Sequence, residues 1–336
     1  MPPLPLKEGW GEGTDTSDLG RVLRHGRRYL SQRGLEEARL EAEVLLIRLV
    51  GISRAHLHSH LDDPVSKEVE TVYQGWLDRR ASHEPLAYIT GVREFFGLDF
   101  YVDRRVLVPR PETELLVEGC LRLLGRGRTG PSAPTGDGGP SGHAGDGGPP
   151  GNTGDSRPPG HTFGGLAPVL ADIGTGSGAI AVALACRLPD ARILAIDVSA
   201  GALEVARLNC TRHGVRGRVD LRLGDLLEPL TEPVDIIIAN LPYIADSVLP
   251  TLAPEVSVYE PRLALAGGAD GLDLVRRLLA QTPGRLRPGG RLLLEIGSGQ
   301  GTEAARAAAG ALSGSTIRIM RDLAGLERVL VIELAS

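Results

Sequence analysis

The first part of the chain has apolar residues at helical spacing. Over residues 17–83 they recur every three or four positions, as at Leu19 and Val22, which is typical of helices that bury one face. The pattern predicts four helices, the second over about residues 36–50 and the fourth from near Pro64. We therefore expect a small helical-bundle domain over residues 17–83.

Residues 84–108 follow a different pattern. Aromatic and β-branched residues flank Gly97 on both sides, which is typical of a β-hairpin with glycine in its turn. A helical pattern comes next, and Thr113 or an adjacent residue is expected to cap that helix. The pattern predicts a hairpin linker over residues 84–108 between two domains.

From Ala167 onward, short apolar runs alternate with helical segments. Such alternation predicts a mostly parallel sheet with helices on both faces. The link between the last two strands is too short for a parallel crossover, so the last strand is expected to be antiparallel. We expect an α/β domain over residues 109–336 with a seven-stranded sheet. Its predicted strands cover residues 167–173, 192–197, 218–223, 234–239, 291–296, 315–320 and 327–333.

Two segments have neither pattern. More than half of residues 125–165 are Gly or Pro, and Gly-Asp-Gly-Gly-Pro occurs at 136–140 and again at 145–149. Such a segment buries too little apolar surface to offset the entropy that ordering would cost. We predict a disordered insertion at about 125–165 without chemistry of its own, and a flexible tail at residues 1–16.

Composition narrows the class of protein. No apolar run approaches the roughly 20 residues that span a bilayer, and residues 1–6 lack the pattern of a signal peptide. Three widely spaced cysteines without a C-x-x-C pair predict reduced thiols and no zinc site. The net charge of −5 is unlike that of a broad nucleic-acid binder. We expect a cytoplasmic monomer without a metal ion, a membrane contact or a direct nucleic-acid substrate.

A glycine-rich turn follows the first strand of the predicted sheet. Gly174, Gly176 and Gly178 let the backbone bend sharply and approach a ligand closely. Asp197 ends the next strand, where its carboxylate can accept both hydroxyls of a ribose. A dinucleotide also fits this pattern, so an NAD enzyme is an alternative. However, the charge of Asp172 would repel a pyrophosphate, and it could instead engage a cationic amino-acid ligand.

Acidic residues at three strand ends indicate which nucleotide binds. Asp225 can accept a hydrogen bond from the N6 amine of adenine, and Leu226 can pack on the base. With Asp172 and Asp197, this arrangement resembles the S-adenosylmethionine site of class I methyltransferases. We predict S-adenosylmethionine as cofactor, with S-adenosylhomocysteine as its product. The predicted cofactor-binding residues are Asp172, Gly174, Thr175, Gly176, Ser177, Gly178, Asp197, Asp225, Leu226 and Asn240.

A tetrapeptide, Asn240-Leu241-Pro242-Tyr243, directly follows a buried strand, where α/β sheets bind their ligands. The Asn240 side chain and a backbone carbonyl at Leu241 or Pro242 can accept both N–H bonds of a planar NH2 group. The Tyr243 ring can lie against the plane of that group. Fixed acceptors orient the nitrogen and favour the charge that develops on methylation. We predict that all four residues bind the acceptor and that Asn240, Pro242 and Tyr243 are catalytic.

Several segments outside the sheet are more characteristic of one protein family than the sheet itself is. On these segments the chain resembles the N5-glutamine methyltransferases that modify peptide chain release factors, over roughly residues 20–124 and 166–333. The resemblance implies a Rossmann-like class I methyltransferase domain behind a helical substrate-recognition domain and a hairpin linker. It also implies that the tetrapeptide binds the glutamine amide of a Gly-Gly-Gln loop in the release factor. The segments are Glu84–Gly91, Phe95–Leu98, Val108–Glu114, Tyr259–Leu265, Gly267–Gly268 and Asp270–Leu272.

The tetrapeptide departs from the family at one position. The family usually has Asn-Pro-Pro-Tyr, and Leu241 replaces the first proline. Leucine also offers a backbone carbonyl, and Pro242 still holds that residue in the extended region. Asn-Leu-Pro-Tyr resembles the motif of ribosomal RNA adenine-N6 methyltransferases too, since adenine N6 is likewise a planar NH2 group. A catalytically weak S-adenosylmethionine-binding protein is the third hypothesis, for which Leu241 is the only hint.

Overall fold

The computed structural model of the chain describes residues 17–125 and 167–335. The predicted tail at 1–16 lies outside the described residues, as does the predicted insertion apart from its first residue. In the described ranges, none of the helices combines the length and the apolar character that crossing a bilayer requires.

A bundle of four helices forms the N-terminal part, as predicted, and side chains cap its helices. Asp18 accepts a hydrogen bond from the Arg21 N–H at 2.6 Å, at the start of the first helix. Gly51 ends the second helix in the left-handed region, with φ 76°. The helices are α1 (Leu19–Ser31), α2 (Ala38–Val50), α3 (Arg54–Ser59) and α4 (Lys67–Ala81).

The start of the fourth helix differs from its predicted position near Pro64. Two-residue strands form there instead, and β1 (Ser17–Asp18) pairs antiparallel with β2 (Pro64–Val65). Ser66 accepts from the Val69 N–H at 3.3 Å and so begins α4 at Lys67. The serine cap, rather than the proline, sets the start of this helix.

The predicted hairpin is confirmed in the linker. Strand β3 (Val92–Phe95) pairs antiparallel with β4 (Leu98–Tyr101). The turn residues Phe96 and Gly97 have φ 54° and 76°, the left-handed values that a two-residue type I′ turn requires. The first part of the predicted hairpin linker is not hairpin but forms the short helix α5 (Leu86–Thr90).

Asn209 fixes the hairpin against the C-terminal domain. Its side chain accepts from the Tyr101 N–H at 2.8 Å and donates to the Tyr101 carbonyl at 2.9 Å. Asn209 is itself fully buried, and the same amide donates to the Ser177 carbonyl at 2.8 Å. One side chain therefore connects the hairpin to the glycine-rich turn.

A seven-stranded sheet lies at the centre of the described C-terminal residues, and this confirms the predicted α/β fold. The strands are β5 (Val169–Ile173), β6 (Arg192–Asp197), β7 (Val219–Leu223), β8 (Val234–Ala239), β9 (Leu286–Glu295), β10 (Thr316–Arg321) and β11 (Glu327–Glu333). Their order is β10-β11-β9-β8-β5-β6-β7. Strands β5 to β9 pair in parallel, whereas β11 pairs antiparallel with both β9 and β10. The antiparallel last strand is confirmed.

Helices cover both faces of the sheet because its central strands are apolar on both sides. Along β8, Ile236 packs in one hydrophobic cluster with the first two helices of the domain, and Ile237 packs in another with the last two. This alternation of faces follows from the two-residue period of a strand. The helices are α6 (Glu114–Leu123), α7 (Ala179–Arg187), α8 (Ala200–Arg212), α9 (Pro254–Ser257), α10 (Asp273–Gln281) and α11 (Gly301–Ala311).

Candidate active site

A cavity of 370 Å³ lies at the carboxyl ends of β5, β6 and β8. Strand β5 has β6 on one side and β8 on the other, so the strand order reverses there. Ligands of open α/β sheets bind in the crevice that such a reversal creates, and the volume suits a small molecule. The predicted site residues on its wall are Gly174, Thr175, Gly176, Ser177, Asp197, Asp225, Leu226, Asn240, Leu241 and Pro242.

The glycine-rich turn forms one side of this cavity. Gly174 and Gly176 have φ 73° and 55°, so the turn needs residues without a Cβ. A Cβ on Gly174 would lie 3.4 Å from the Leu241 side chain and 3.5 Å from the Asn240 carbonyl oxygen. The turn therefore approaches the tetrapeptide closely, and a side chain there would fill the space between them.

Asp197 joins the turn to the second strand. One carboxylate oxygen accepts from the Gly176 N–H and the other from the Ser199 N–H, both at 2.8 Å. Burial raises the pKa of Asp197, and these backbone hydrogen bonds act against the rise. Each oxygen keeps further lone-pair capacity, so the carboxylate can still accept the two hydroxyls of a ribose.

Asp172 is not on the cavity wall. Its side chain is fully buried and accepts from the Thr175 hydroxyl at 2.7 Å and from the Ala181 N–H at 3.2 Å. Burial raises its pKa to about 7. These contacts brace the turn from beneath, and a direct contact of Asp172 with the cofactor stays a prediction.

Gly178, also predicted to contact the cofactor, is likewise not on the wall. A Cβ there would lie 3.2 Å from the Cβ of Ala206. Its φ of 79° is left-handed as well. Gly178 thus lets α7 start close to α8, and its contact with the cofactor stays a prediction.

The third strand end carries Asp225 and Leu226, both on the cavity wall. Leu226 has φ 49°, a strained value for a leucine, and such strain concentrates at functional sites. The Asp225 carboxylate forms an ion pair with Arg277. That partner was not predicted, and it occupies part of the hydrogen-bonding capacity assigned to adenine.

Asn240 directly follows β8 and contacts Thr113, a residue that is distant in sequence. Its side-chain amide donates to the Thr113 hydroxyl at 3.0 Å. Thr113 stands at the N-cap position of α6, as expected, but its side chain makes no capping hydrogen bond. With one amide N–H directed at Thr113, the side-chain oxygen of Asn240 remains available to accept from a ligand.

Tyr243 does not line the cavity, although it was predicted to stack on the acceptor. Its hydroxyl donates to Glu295 at 3.4 Å, and its carbonyl accepts from the Gln300 amide at 3.1 Å. Burial and the nearby Glu295 carboxylate raise the pKa of Tyr243. The Tyr243 hydroxyl is therefore directed at the end of β9, and a stacking role stays a prediction.

Two segments that carried the family resemblance meet at the wall of the cavity. Arg110 donates to Glu260 at 2.5 Å, and the second oxygen of Glu260 accepts from the Val108 N–H at 3.3 Å. Burial raises the pKa of Glu260, and the Arg110 guanidinium acts against the rise. Sequence reasoning had assigned these segments no site residue. They place on the wall Pro109, Arg110, Thr113, Pro261, Leu263 and Ala264.

The helical bundle contacts the C-terminal domain close to these segments. Arg80, at the end of α4, donates to Glu255 at 3.0 Å. The Tyr259 hydroxyl donates to the Ser82 carbonyl at 2.6 Å. Both contacts involve the segment that leads to Pro261 on the cavity wall.

Comparisons with known proteins agree with this geometry. The PrmC N-terminal domain family matches residues 21–91, and the methyltransferase small domain family matches residues 165–255. The release factor glutamine methyltransferase of Geobacter sulfurreducens is 41% identical over 84% of this chain and 85% of its own length. That of Moorella thermoacetica is 39% identical over 92% of this chain and 96% of its own length.

One solved structure resembles this chain in its fold only. The hMettl16 catalytic domain superposes with a TM-score of 0.51 and 16% identity, covering 77% of this chain and 83% of that chain. The sequence relatives, which span nearly the whole chain, carry the family assignment. By these relatives, the chain belongs to the release factor glutamine methyltransferase family.

Proposed function

We propose that this chain transfers a methyl group from S-adenosylmethionine to the side-chain amide nitrogen of the glutamine in the Gly-Gly-Gln loop of peptide chain release factors. The observation that carries the proposal is the position of Asn240. It lies on the wall of the same cavity as the glycine-rich turn, and one N–H of its amide donates to Thr113 at 3.0 Å. An acceptor oxygen is thus held beside the site for the methyl donor.

The residues present fit the donor. Asp197 would accept the ribose hydroxyls, and the glycine-rich turn leaves room for the methionine portion. Leu226 would pack on the adenine, with Asp225 shared between its N6 amine and Arg277. Bound S-adenosylmethionine would supply a sulfonium methyl group. Asp172 would brace the turn from beneath.

The acceptor half would orient a poor nucleophile. The lone pair of an amide nitrogen is delocalised, which makes the nitrogen a poor nucleophile. Fixing both of its N–H bonds would orient the nitrogen and stabilise the positive charge that develops as the methyl group arrives. The Asn240 oxygen would accept one N–H, and the Leu241 carbonyl the other. A carbonyl oxygen at Pro242 is less open, because a Cβ on the neighbouring Gly267 would lie 2.8 Å from it. Proton loss to water would complete the reaction.

The test is incubation of the purified chain with S-adenosylmethionine and a release factor, followed by tandem mass spectrometry of the loop peptide. We expect one added methyl group on the glutamine, and none on a release factor whose loop glutamine is replaced by alanine. A parallel reaction contains ribosomal RNA. Methyl on RNA adenine but not on the release factor would favour the RNA hypothesis. Cofactor binding without transfer to either substrate would favour a catalytically weak binding protein.

We also propose that the chain acts as a monomer in the cytoplasm and that the helical bundle, over residues 17–83, recognises the release factor. Through Arg80 and Ser82 the bundle contacts the segment that leads to Pro261 on the cavity wall. A large partner bound over the cavity would contact both parts. Analytical ultracentrifugation of the chain alone and with release factor would give the stoichiometry, for which we expect one to one.

A further inference from the structure

The side-chain amide of Gln300 connects three segments of the C-terminal domain. It donates to the Tyr243 carbonyl at 3.1 Å, in the segment after β8, and to the Asp270 carbonyl at 3.2 Å. Its oxygen accepts from the Gly297 N–H at 2.8 Å, just after β9. Both N–H bonds of the amide and its oxygen are therefore used, and each hydrogen bond goes to a backbone group.

Gln300 stands directly before α11, but its side chain does not cap that helix. It makes no capping hydrogen bond, although a polar side chain at this position commonly does so. A carboxylate would suit the start of a helix better than a neutral amide, because it also interacts favourably with the helix dipole. A neutral amide with two N–H bonds suits two backbone carbonyls instead.

The loop over residues 267–271 packs directly on the backbone of the tetrapeptide. A Cβ on Gly267 would lie 2.8 Å from the Pro242 carbonyl oxygen, and one on Gly271 would overlap the Tyr243 carbonyl oxygen. The loop needs glycine for this approach, and Gly271 also has a left-handed φ of 81°. Both glycines belong to segments that carried the family resemblance but had received no role in the site.

Backbone hydrogen bonds hold the tetrapeptide at both ends. Ala239, which precedes it, pairs with β5 and β9 in the sheet. Ile244, which follows it, accepts from the Gly267 N–H at 2.9 Å. Leu241, where the family usually has proline, lacks a ring that fixes its φ. The orientation of its carbonyl therefore depends on what holds its neighbours in place.

We propose that Gln300 is a positioning residue for the methyl acceptor. Together with the 267–271 loop, it holds the tetrapeptide backbone in place, so that the Leu241 carbonyl can accept an N–H of the glutamine amide. Gln300 is not on the cavity wall, and it acts through the Tyr243 carbonyl to which it donates. This role rests on the proposed function, to which it adds a residue that touches neither substrate nor cofactor.

Two substitutions of Gln300 test this role in steady-state methylation of the release factor. Gln300→Glu keeps the size of the side chain and an oxygen for Gly297, but it places a carboxylate oxygen against the two carbonyls. Gln300→Ala removes all three hydrogen bonds. We expect kcat to fall by about 10- to 100-fold in both, since a misplacement of about 1 Å can cost on the order of 100-fold. Affinity for S-adenosylmethionine, measured by calorimetry, should change by less than about twofold.

Thermal stability distinguishes positioning from support of the helix. If Gln300 only supported the start of α11, Gln300→Glu would keep kcat and would keep or raise the Tm, because an acid favours a helix N-terminus. The matched control is Glu303→Gln in the first turn of α11, whose exposed carboxylate pairs with Arg306. This control should leave kcat within about twofold, since exposed ion pairs contribute little. Wild-type kcat in Gln300→Glu would overturn the inference.

Hydrogen exchange tests the positioning without any substrate. Loss of the hydrogen bonds from Gln300 should let the segment after β8 open more often. The peptide over residues 240–246 should exchange about fivefold faster in Gln300→Ala than in wild type, the change expected for the loss of one hydrogen bond. Unchanged exchange in this peptide would contradict the positioning role, whichever acceptor the chain methylates.

Gly271→Ala disturbs the tetrapeptide from the side of the loop. Its Cβ would displace the Tyr243 carbonyl, so we expect kcat to fall at least as far as in Gln300→Ala. Gly325→Ala is the matched control, because Gly325 has a φ of 80° and, among the described residues, no atom beyond its chain neighbours lies within 4 Å of the added Cβ. It has the same backbone strain and should keep kcat within about twofold. Equal kcat in these two variants would show that the tetrapeptide does not depend on the loop.

The outcomes separate this role from the proposed function. If the wild-type chain leaves the release factor unmethylated, the proposed function fails, and hydrogen exchange still decides whether Gln300 holds the tetrapeptide. If the wild-type chain is active and Gln300→Glu matches its kcat, only the positioning role fails. If Gly271→Ala or Gln300→Ala fails to fold, Gln300→Glu decides the question, because it keeps the size of the side chain.

Discussion

The two halves of the cavity wall are built in different ways. The proposed cofactor half comes from one strand–turn–helix unit, with Asp197 from the next strand binding the turn backbone at 2.8 Å. The proposed acceptor half needs partners from distant parts of the chain, because Asn240 contacts Thr113, 127 positions away. The first half is determined mostly by local backbone geometry, and the second by packing.

Substitutions in the two halves should affect different kinetic parameters. In the cofactor half, a change should weaken binding of the cofactor and leave the chemical step intact when the cofactor is saturating. In the acceptor half, a change should lower kcat and leave cofactor affinity nearly unchanged. Asn240 lies where the two halves meet. Its backbone carbonyl oxygen is 3.5 Å from the position that a Cβ on Gly174 would take.

Asn240→Ala should have the largest effect. Removal of the acceptor oxygen should lower kcat by about 10²- to 10³-fold, the range for loss of one preorganised hydrogen-bonding group. Cofactor affinity, measured by calorimetry, should change by less than about fivefold, or ~1 kcal/mol. A variant with full methylation of the release factor would remove Asn240 from the mechanism, and a large loss of cofactor affinity would erase the division between the halves.

Asp197→Ala should weaken cofactor binding by about 10- to 100-fold, because charge-assisted hydrogen bonds contribute roughly 1.5–3 kcal/mol. Asp225→Ala is the matched control on the same wall. Its carboxylate is partly exposed and already paired with Arg277, so its removal should cost less than about fivefold. Calorimetry would measure the cofactor affinity of both variants. Equal losses of affinity would show that the burial of Asp197 and its contacts with the turn do not make it more important for cofactor binding than Asp225.

Asp172→Asn should change the pH dependence of stability. The pKa of Asp172 is about 7 in the folded protein and about 3.9 when unfolded, so the native state binds more protons between these values. Its contribution to stability is therefore present below about pH 4 and is lost as the pH rises through about 7. The Tm of wild type minus that of the variant should fall by several degrees between pH 5 and pH 8.

Differential scanning calorimetry at four pH values would measure this difference. Glu295, whose pKa is also about 7, is present in both proteins and cancels in the subtraction. A difference in Tm that does not vary with pH would mean that Asp172 keeps an ordinary pKa in the folded protein.

Leu241→Pro should have the smallest effect. It would recreate the usual family sequence and reduce the freedom of the unfolded chain, worth about 0.4–1 kcal/mol. It would also remove a side chain that is 4% exposed and packs in the core. These terms oppose each other, so kcat should stay within about threefold. A much larger gain in kcat would mean that Leu241 holds this chain in a weakly active state.

The sequence by itself determined the elements and the location of the site. Strand and helix periods predicted the seven strands and the four N-terminal helices, because they reflect local backbone geometry. The glycine-rich turn and the tetrapeptide could be placed at strand ends without coordinates. The true start of α4 was missed because Pro64 also suits an edge strand, and the Ser66 cap was the stronger local signal.

Only the tertiary structure decided what the side chains at those strand ends contact. Packing directs the Tyr243 hydroxyl to Glu295, pairs Thr113 with Asn240 and gives Asp225 its partner Arg277. These partners come from separate elements, and their spacing along the chain follows no period that a sequence pattern could reveal. Local propensity fixes where a strand ends, whereas the partner of a buried polar group depends on which elements pack beside it.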